Sequence, residues 1–408
     1  MNANAKEGYS RLLNSHYCYI SPSPKAYPFQ YFWDTCFHIV ILIQLGEYDI
    51  AKKGFQSLFA MQEKNGFVGH MIFWKQVLPK RLSDVLQARP TLRSLRPHMS
   101  ALIQPTFVAA VLLRLYEVSQ DRRFLQEMVP KVKRYHQWLQ ANRDFDRDGL
   151  LTIISPFESG IDWKPSFDPI VKYPHRVPRR LLFASSLYWK GIATDFSNFA
   201  LGYDLTRIKR RRKFLVKDAG FNTIYALDLE AMAKLSELAG EDGTRFRERR
   251  QHVAKNIVKL MFDEATLAFY DVYGSASTKV KILTATTFFP LALEEVTLDL
   301  AERVLAAHFD NDQEFALPLP VPSVAHSDAA FYPRQSPFIW RGPTWAFINW
   351  FLYHMLIKRK FEQRAQRLRN SLWALIERSG LREYYNPLTG EGYGAEEFTW
   401  SGLLIDMR

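Results

Sequence analysis

Three carboxylic acids stand within eleven residues near the middle of the chain, in the segment Glu158-Ser-Gly-Ile-Asp162-Trp-Lys-Pro-Ser-Phe-Asp168. The glycine, proline and aromatic residues among them predict a turn-rich loop that is partly walled by apolar rings. Such a wall raises the pKa of a carboxyl group by desolvation and keeps it protonated near neutral pH, as a general acid for glycosidic cleavage requires. The alternative is that these acids cap helices or bind backbone amides.

A second candidate carboxylate lies near the other end of the chain. Glu383 opens the segment Glu383-Tyr-Tyr-Asn-Pro-Leu-Thr-Gly-Glu-Gly-Tyr-Gly394, just after a predicted helix. Glu391, Glu396 and Glu397 are nearby competitors, which we interpret as solvated or capping residues. Glu383 itself can be an ordinary exposed glutamate, and composition alone does not decide between these roles.

The elements that position these groups are predicted to be mostly helices. Apolar residues recur at helical spacing along most of the chain, and sustained strand-like alternation is missing. The predicted helical stretches are 36–62, 105–119, 124–142, 223–239, 245–261, 298–309, 343–358 and 361–379. Several are joined by short connections, which predicts antiparallel helical hairpins, about six over the whole chain. We find no linker and no sequence repeat, so residues 1–408 are predicted to form one domain, with a basic insertion at about 164–214 as an open alternative.

Composition sets further limits on the function. The chain has 408 residues, of which 47% are apolar and 24% charged, and this is the balance of an ordinary folded protein. The 14% of aromatic residues suits either a sugar-binding cleft or large helical cores. The net charge of +12 is concentrated at 209–213, which suits phosphates, an acidic surface or a solvated face. No recognised nucleic-acid module surrounds this cluster, so nucleic acid is not the expected partner.

Two cysteines, Cys18 and Cys36, rule out a disulfide framework. The first ten residues lack the apolar core of a secretory signal, and we therefore predict a cytoplasmic protein. The longest apolar runs are far shorter than the roughly 20 residues that span a bilayer, so no membrane association is predicted. Neither a metal-ligand spacing nor a phosphate-binding glycine loop nor a serine nucleophile elbow is found, and we predict no metal and no cofactor.

Several motifs occur together in one order along residues 31–401. They are Tyr31-Phe-Trp-Asp-Thr-Cys-Phe-His38, Glu158-Ser-Gly-Ile-Asp162, Phe221-Asn222, Trp340-Arg-Gly-Pro-Thr-Trp345, Glu383-Tyr-Tyr-Asn-Pro-Leu-Thr-Gly390 and Phe398-Thr-Trp-Ser401. In these motifs the chain resembles the catalytic domain of glycoside hydrolase family 63 and the bacterial mannosylglycerate and glucosylglycerate hydrolases. It is more distantly similar to trehalases and glucoamylases.

The resemblance implies an all-α fold, an (α/α)6 toroid of the six-hairpin glycosidase type, and inverting cleavage of an α-glucoside or α-mannoside. Glucosylglycerate, mannosylglycerate and a small oligosaccharide are the implied substrates. Asp162 is implied as the general acid and Glu383 as the general base, and inversion needs two such carboxyls about 6.5–9.5 Å apart. The implied substrate-binding residues are Trp33, Asp34, Gln62, His70, Glu158, Gly160, Asn222, Trp340, Arg341, Gly342, Trp345, Tyr384 and Trp400. A core role is an equal alternative for His70, and a packing role for Trp345 and Trp400.

The chain departs from the family pattern directly after Asp162. Trp163 and Lys164 stand where the family usually has a small polar residue and a neutral group, and we interpret Trp163 as narrowing the site beyond the scissile bond. Lys164 predicts contact with an anionic aglycone such as glycerate, with a surface insertion as the alternative for the basic stretch. A sugar isomerase or a non-catalytic sugar-binding protein remains a competing function, and a homo-oligomer is compatible with the sequence.

Overall fold

The computed structural model describes residues 1, 4–11, 14–74, 82–88, 98–175, 184–274, 276–336 and 339–408, and the chain is helix-rich. The helices are α1 (Phe32–Gln44), α2 (Tyr48–Ala60), α3 (Leu82–Gln87), α4 (Val108–Ser119), α5 (Arg122–Arg143), α6 (Asp168–Val171), α7 (Ala184–Ala200), α8 (Leu205–Arg211), α9 (Ala219–Leu238), α10 (Thr244–Met261), α11 (Leu298–Val304), α12 (Ala346–Lys358) and α13 (Glu362–Ser379). Shorter 3₁₀ turns lie at Pro156–Ser159, Pro165–Phe167, Ala285–Ala292 and Thr399–Asp406, and α11 continues into a π-helical turn, Leu305–Phe309.

The strands are short and form small antiparallel sheets. They are β1 (Ala5–Ser10), β2 (Ser15–Ile20), β3 (Gln30–Tyr31), β4 (Met71–Ile72), β5 (Val216–Lys217), β6 (Phe262–Asp263), β7 (Ala268–Phe269), β8 (Val272–Tyr273), β9 (Thr278–Lys279), β10 (Arg382–Tyr385) and β11 (Gly392–Glu396). The pairs are β1–β2, β3–β4, β6–β7 and β10–β11, and β5, β8 and β9 form a sheet in the order β5–β8–β9.

The predicted helical stretches are found within a few residues, with one exception. The stretch 36–62 is two helices, because the chain breaks at 45–47, where Gly46 has a φ of +76°. A glycine adopts this left-handed conformation without the steric cost of a side chain, and it therefore ends a helix readily. The predicted connections are confirmed for α4–α5 and for α12–α13, whose helices pack against each other.

The chain divides into two compact units. Unit 1 comprises Met1–Gly160, Ile192–Leu215 and Ile224–Val253. Its interior contains α1, in which every residue except Gln44 is buried, and α1 packs against α2 and α4. A helix that is apolar on all sides must lie inside its unit, whereas α5 buries one face and exposes the other. Asp121 caps α5 by accepting a 3.0 Å hydrogen bond from the Phe124 amide.

Unit 2 comprises Ile161–Gly191, Val216–Thr223 and Ala254–Arg408. Here α12 is mostly buried and packs against α13 and the 3₁₀ turns Ala285–Ala292 and Thr399–Asp406. Helix α13 buries Ala365, Leu368, Leu372 and Leu375 at helical spacing and exposes its charged face. In both units, therefore, a buried helix pairs with an amphipathic one.

The basic stretch at 164–214 contains α6, α7 and α8, and Arg176, Arg179 and Arg180 fall outside the described residues. Lys209, Arg210 and Arg211 occupy the last turn of α8, where cations are favoured by the helix dipole. The helix dipole thus gives a structural reason for the position of these three basic residues. In the part of the chain that the structure describes, we find no helix long and apolar enough to cross a membrane.

Candidate functional site

Asp162 lies at the corner of a tight turn in the central loop, which we define as residues 155–171. The Lys164 amide donates a 3.1 Å hydrogen bond to the Ile161 carbonyl and closes this turn around Asp162 and Trp163. All residues from 160 to 168 are buried except Asp162, which is partly exposed. The turn therefore presents one carboxyl group from otherwise buried surroundings.

Glu158, in the 3₁₀ turn before Asp162, is fully buried and engaged by protein donors. The Arg143 guanidinium binds both carboxylate oxygens, at 2.5 and 2.8 Å, and the amides of Ile103 and Ile154 donate at 2.9 and 2.7 Å. Bidentate and charge-assisted bonds of this kind are the strong ones in proteins. Glu158 thus ties the beginning of the central loop to its own unit, and its predicted contact with substrate stays a prediction.

Gly160 and Trp33 are brought together, as two predicted site residues of unit 1. Gly160 has a φ of +72°, and a Cβ atom there would lie 2.3 Å from the Trp33 ring. Trp33 is buried, and its amide donates to Gln104 Oε1 at 3.1 Å. Only glycine satisfies both the backbone conformation and the close approach of this ring.

Lys164 does not face a solvent-accessible site. Its side chain is fully buried, and the ammonium contacts the Asp218 carboxylate and, at 2.7 Å, Asp271 Oδ2. Burial lowers the pKa of this ammonium, but the charges of Asp218 and Asp271 outweigh that effect and raise it above its ordinary value. The prediction that Lys164 meets an anionic aglycone is therefore wrong, because its charge is already neutralised inside the protein.

Arg341 is a second buried cation that binds the central loop. Its guanidinium binds both oxygens of Asp168, and its Nε donates to the Trp163 carbonyl at 3.1 Å. His175 also contacts Asp168, at 3.0 Å, and hydrogen bonds to Asp168 and Asp328 raise the pKa of His175 to about 9. The contacts of Arg341 show what holds the loop beside Asp162, while its predicted contact with sugar stays a prediction.

Glu383 lies on β10 opposite a bulge in β11. The register passes from Arg382↔Glu396 to Tyr384↔Tyr393, so two residues, Gly394 and Ala395, oppose Glu383. Bulges of this kind redirect side chains and are frequent beside active sites. Glu383 is 7% exposed, and its Oε2 accepts a 2.9 Å hydrogen bond from the Ala395 amide. Such a bond favours the ionised carboxylate.

An aromatic cluster surrounds the strand that carries Glu383. Trp345 stacks on Trp340 with ring centroids 3.7 Å apart and on Tyr384 at 5.2 Å, and it contacts Trp400 at 6.0 Å. Burial raises the pKa of the Tyr384 hydroxyl, and the charge of Glu383 raises it further. The structure thus unites four of the predicted site residues in unit 2.

The segment 340–345, which we call the tryptophan segment, is bonded to both candidate carboxylate regions. Thr344 and Tyr385 exchange two backbone hydrogen bonds, of 2.8 and 2.9 Å, two residues beyond Glu383. Arg341, in the same segment, binds the carbonyl of Trp163 next to Asp162. Gly342 has a φ of +122°, and its amide donates to the Ser323 hydroxyl, which completes the turn between these two attachments. Asp162 and Glu383 are therefore linked to one short segment of unit 2.

The remaining predicted residues have mainly local partners. In unit 1, the side-chain Nε2 of Gln62 donates to the carbonyls of Gly66 and Lys131, at 2.9 and 2.8 Å. His70 is buried, its Nδ1 lies 2.7 Å from the Ser100 hydroxyl, and burial lowers its pKa to about 3. His70 is therefore a neutral histidine with a partner.

Asp34 is buried in the first turn of α1. In unit 2, the Asn222 side chain donates to the Asp218 carbonyl at 3.0 Å, within the first turn of α9. The sugar contacts of Asp34 and Asn222 stay predictions.

Sequence reasoning missed Asp218 and Asp271. Asp218 accepts a 2.8 Å hydrogen bond from the Phe221 amide and caps α9, and an Asp three residues before the motif Phe221-Asn222 was an available signal. Asp271 has no comparable signal, because it faces Asp218 only through the pairing of β5 with β8. Among the described residues, no group of three or more His, Cys, Asp or Glu residues is arranged to hold a metal ion.

Comparison with known proteins identifies the family of the chain. Residues 27–401 match the model of the mannosylglycerate hydrolase MGH1-like glycoside hydrolase domain. The chain is 31% identical to the mannosylglycerate hydrolase of Thermus thermophilus, over 96% of each chain.

Solved structures agree with the sequence comparison. A family 63 mannosylglycerate hydrolase of Thermus thermophilus, in complex with Tris and D-glycerate, matches with a TM-score of 0.84 and 28% identity, over 96% of each chain. The neutral trehalase Nth1 of Saccharomyces cerevisiae shares the fold, with a TM-score of 0.62 and 15% identity, over 98% of this chain and 76% of that one.

The fold and these matches define an enzyme of the glycoside hydrolase class, one that cleaves an α-glycosidic bond with inversion. More closely, the chain belongs to the mannosylglycerate hydrolase MGH1-like family of glycoside hydrolases.

Proposed function

We propose that the chain hydrolyses an α-glucosyl or α-mannosyl glycoside of glycerate, with Asp162 as general acid and Glu383 as general base. One observation carries the assignment of residues. The tryptophan segment is hydrogen-bonded to the carbonyl of Trp163 and to the backbone of Tyr385, so the loop that carries Asp162 and the strand that carries Glu383 are attached to one support. An inverting hydrolase needs such a shared support, because the two carboxyls must keep a fixed separation with water between one of them and the sugar.

The environments of the two carboxyl groups suit different tasks. Asp162 projects from a turn whose neighbours are buried and is itself partly exposed, which leaves its carboxyl accessible to a leaving oxygen. Glu383 accepts a hydrogen bond from the Ala395 amide, which favours the ionised form that a base requires.

The substrate class follows from the relatives. The family is named for hydrolysis of mannosylglycerate, and solved structures of a relative contain D-glycerate or glucose. The rings of the aromatic cluster are only 1–6% exposed and pack on one another beside Glu383, so we propose that they form the wall that supports the sugar site. Within the described residues, the buried indole N–H of Trp340 has no acceptor, and a sugar hydroxyl would supply one. We assign Trp340, Trp345, Tyr384 and Trp400 to this wall, and the other sugar contacts of the sequence analysis stay predictions.

We also propose that residues 1–408 form one (α/α)6 toroid. The pairing of a buried helix with an amphipathic one in α12–α13 supports this architecture, since a toroid needs an inner and an outer helix in each hairpin. A cytoplasmic location is proposed as well, because the two cysteines are buried free thiols and free thiols persist in reducing compartments.

The test combines the anomeric form of the released sugar with the activity of variants at the two carboxyls. Proton NMR of the sugar released from α-mannosylglycerate and α-glucosylglycerate should show the β-anomer first. Asp162→Asn should lose most activity on these glycerate glycosides and much less on an α-glycosyl fluoride, because fluoride leaves with little need of protonation. Glu383→Gln should lose activity on both, since the attacking water must be deprotonated in either case.

Glu396→Gln is the matched control for Glu383→Gln, because Glu396 lies on the same hairpin but is exposed and pairs with Arg382. It should retain activity on every substrate. Release of the α-anomer first would contradict inversion, and activity like that of the unmodified chain in Asp162→Asn or Glu383→Gln would remove that residue from the mechanism.

A further inference from the structure

We propose that the buried ion cluster of Lys164, Asp218 and Asp271 positions the Asp162 carboxyl for proton transfer. This inference rests on the proposed role of Asp162 as the general acid. The three side chains touch no reacting atom, so they are positioning residues rather than catalytic ones. All three belong to unit 2 and are at least nine-tenths buried.

The small sheet builds the anionic half of the cluster. Strands β5 and β8 are antiparallel, with Lys217 paired to Val272. Asp218 follows β5 and Asp271 precedes β8, so continuation of the same register sets the two aspartates opposite each other. Two buried carboxylates in this arrangement repel each other. The pKa of Asp218 is raised mainly by burial and further by the charge of Asp271.

The N-terminus of α9 partly compensates this negative charge. The Ala219 amide donates to Asp271 Oδ1 and the Phe221 amide to Asp218 Oδ1, each at 2.8 Å. Helix N-termini stabilise anions through such amides and through the helix dipole. The pair still carries two negative charges in a buried site, and it therefore requires a cation.

The central loop supplies that cation two residues after Asp162. Lys164 contacts both carboxylates, and the Ser166 hydroxyl adds a 2.6 Å hydrogen bond to Asp271 Oδ2. Because the amide of Lys164 also closes the turn around Asp162, the ion contacts fix one end of that turn directly. Acid catalysis is sensitive to such a displacement, since misplacing a group by about 1 Å costs about 100-fold in rate.

The cluster can be weakened without removing the cation. Asp218→Asn keeps the shape of the side chain and the capping of α9, since asparagine caps helices as well as aspartate does, and it leaves Lys164 one carboxylate. We expect hydrolysis of an α-glycosyl glycerate to fall by roughly 100-fold, while hydrolysis of the corresponding glycosyl fluoride falls less than about threefold. The ratio of the two rates is the readout, because general loss of structure lowers both rates together.

Asp228→Asn is the matched control. Asp228 is likewise a fully buried carboxylate, its Oδ2 lies 2.9 Å from His136 Nε2, and it belongs to unit 1. This variant should lose stability but keep the rate ratio of the unmodified chain. If Asp218→Asn does not fold, Asp271→Asn provides the same measurement, since it too leaves one carboxylate for Lys164.

An unchanged rate ratio in a folded Asp218→Asn or Asp271→Asn protein would overturn the positioning role. Failure of the proposed function is a different result, because it would appear as full activity of Asp162→Asn on the glycerate glycosides. The two ideas are thus tested by separate variants on the same pair of substrates.

Discussion

Replacement of Gly394 by alanine should displace the Glu383 carboxylate and lower turnover with a modest loss of stability. Gly394 has a φ of +69°, and a Cβ atom there would lie 2.5 Å from Glu383 Oε2 and 2.7 Å from Glu383 Cβ. Non-bonded heavy atoms prefer a separation of about 3.5 Å, so the carboxylate or its strand must move by roughly 1 Å. A displacement of that size corresponds to about a 100-fold loss in rate. The left-handed backbone adds about 1–2 kcal/mol of strain.

The assay compares kcat on an α-glycosyl glycerate with the free energy of unfolding in urea. Gly46→Ala is the matched control, because Gly46 has a similar φ, +76°, and a Cβ atom there would have no neighbour within 4 Å. It should lose similar stability and keep its turnover. Full turnover in a folded Gly394→Ala protein would show that Glu383 is not held by this strand when it acts, and would refute the reasoning.

Two further predictions concern pH. His175 has a pKa of about 9, raised by hydrogen bonds to Asp168 and Asp328, so its contribution to stability is complete below about pH 6.5 and is lost as the pH rises through about 9. Urea unfolding between about pH 6 and 10 should show a loss of about 1–2 kcal/mol from His175, a figure discounted because His175 is half-buried. His175→Gln should remove this part of the pH dependence. Burial raises the pKa of Asp195 to about 7, although Ser155 and Gln87 donate hydrogen bonds to it. The contribution of Asp195 to stability is therefore complete below about pH 3.8 and is lost as the pH rises through about 7. At about pH 8, Asp195→Asn should unfold at a higher urea concentration than the unmodified chain. Equal unfolding midpoints at that pH would contradict the ionisation of Asp195.

The sequence predicted what depends on local periodicity and turn chemistry. The helices α4, α5, α12 and α13 were found from apolar spacing, because each buries one continuous face or is apolar throughout. The break at Gly46 was missed, since apolar residues continue on both sides of it and hide the interruption. Strands β5 and β8 were also missed, because two residues are too few to show alternation.

The partners of the central loop lay beyond sequence reasoning. Lys164 was interpreted as a binding cation because a lysine in a basic stretch has no visible partner in sequence. Its partners Asp218 and Asp271 stand far along the chain, and strand pairing alone sets them together. Long-range ion pairs of this kind leave no periodic signal, so a buried lysine and an exposed one look alike until the fold is known.

Because Gly160 lies directly against the Trp33 ring, the effect of a substitution at one of these positions depends on the residue at the other. A smaller residue at 33 would open a void beside Gly160, and a larger residue at 160 would collide with the indole ring, so substitutions tested singly at either place would be rejected. A library that varies positions 33 and 160 together should yield folded variants whose single substitutions are each destabilising, because the effects of mutations at touching residues are not additive. The positive φ at position 160 further limits the residues allowed there to glycine or a residue such as asparagine, which tolerates a positive φ.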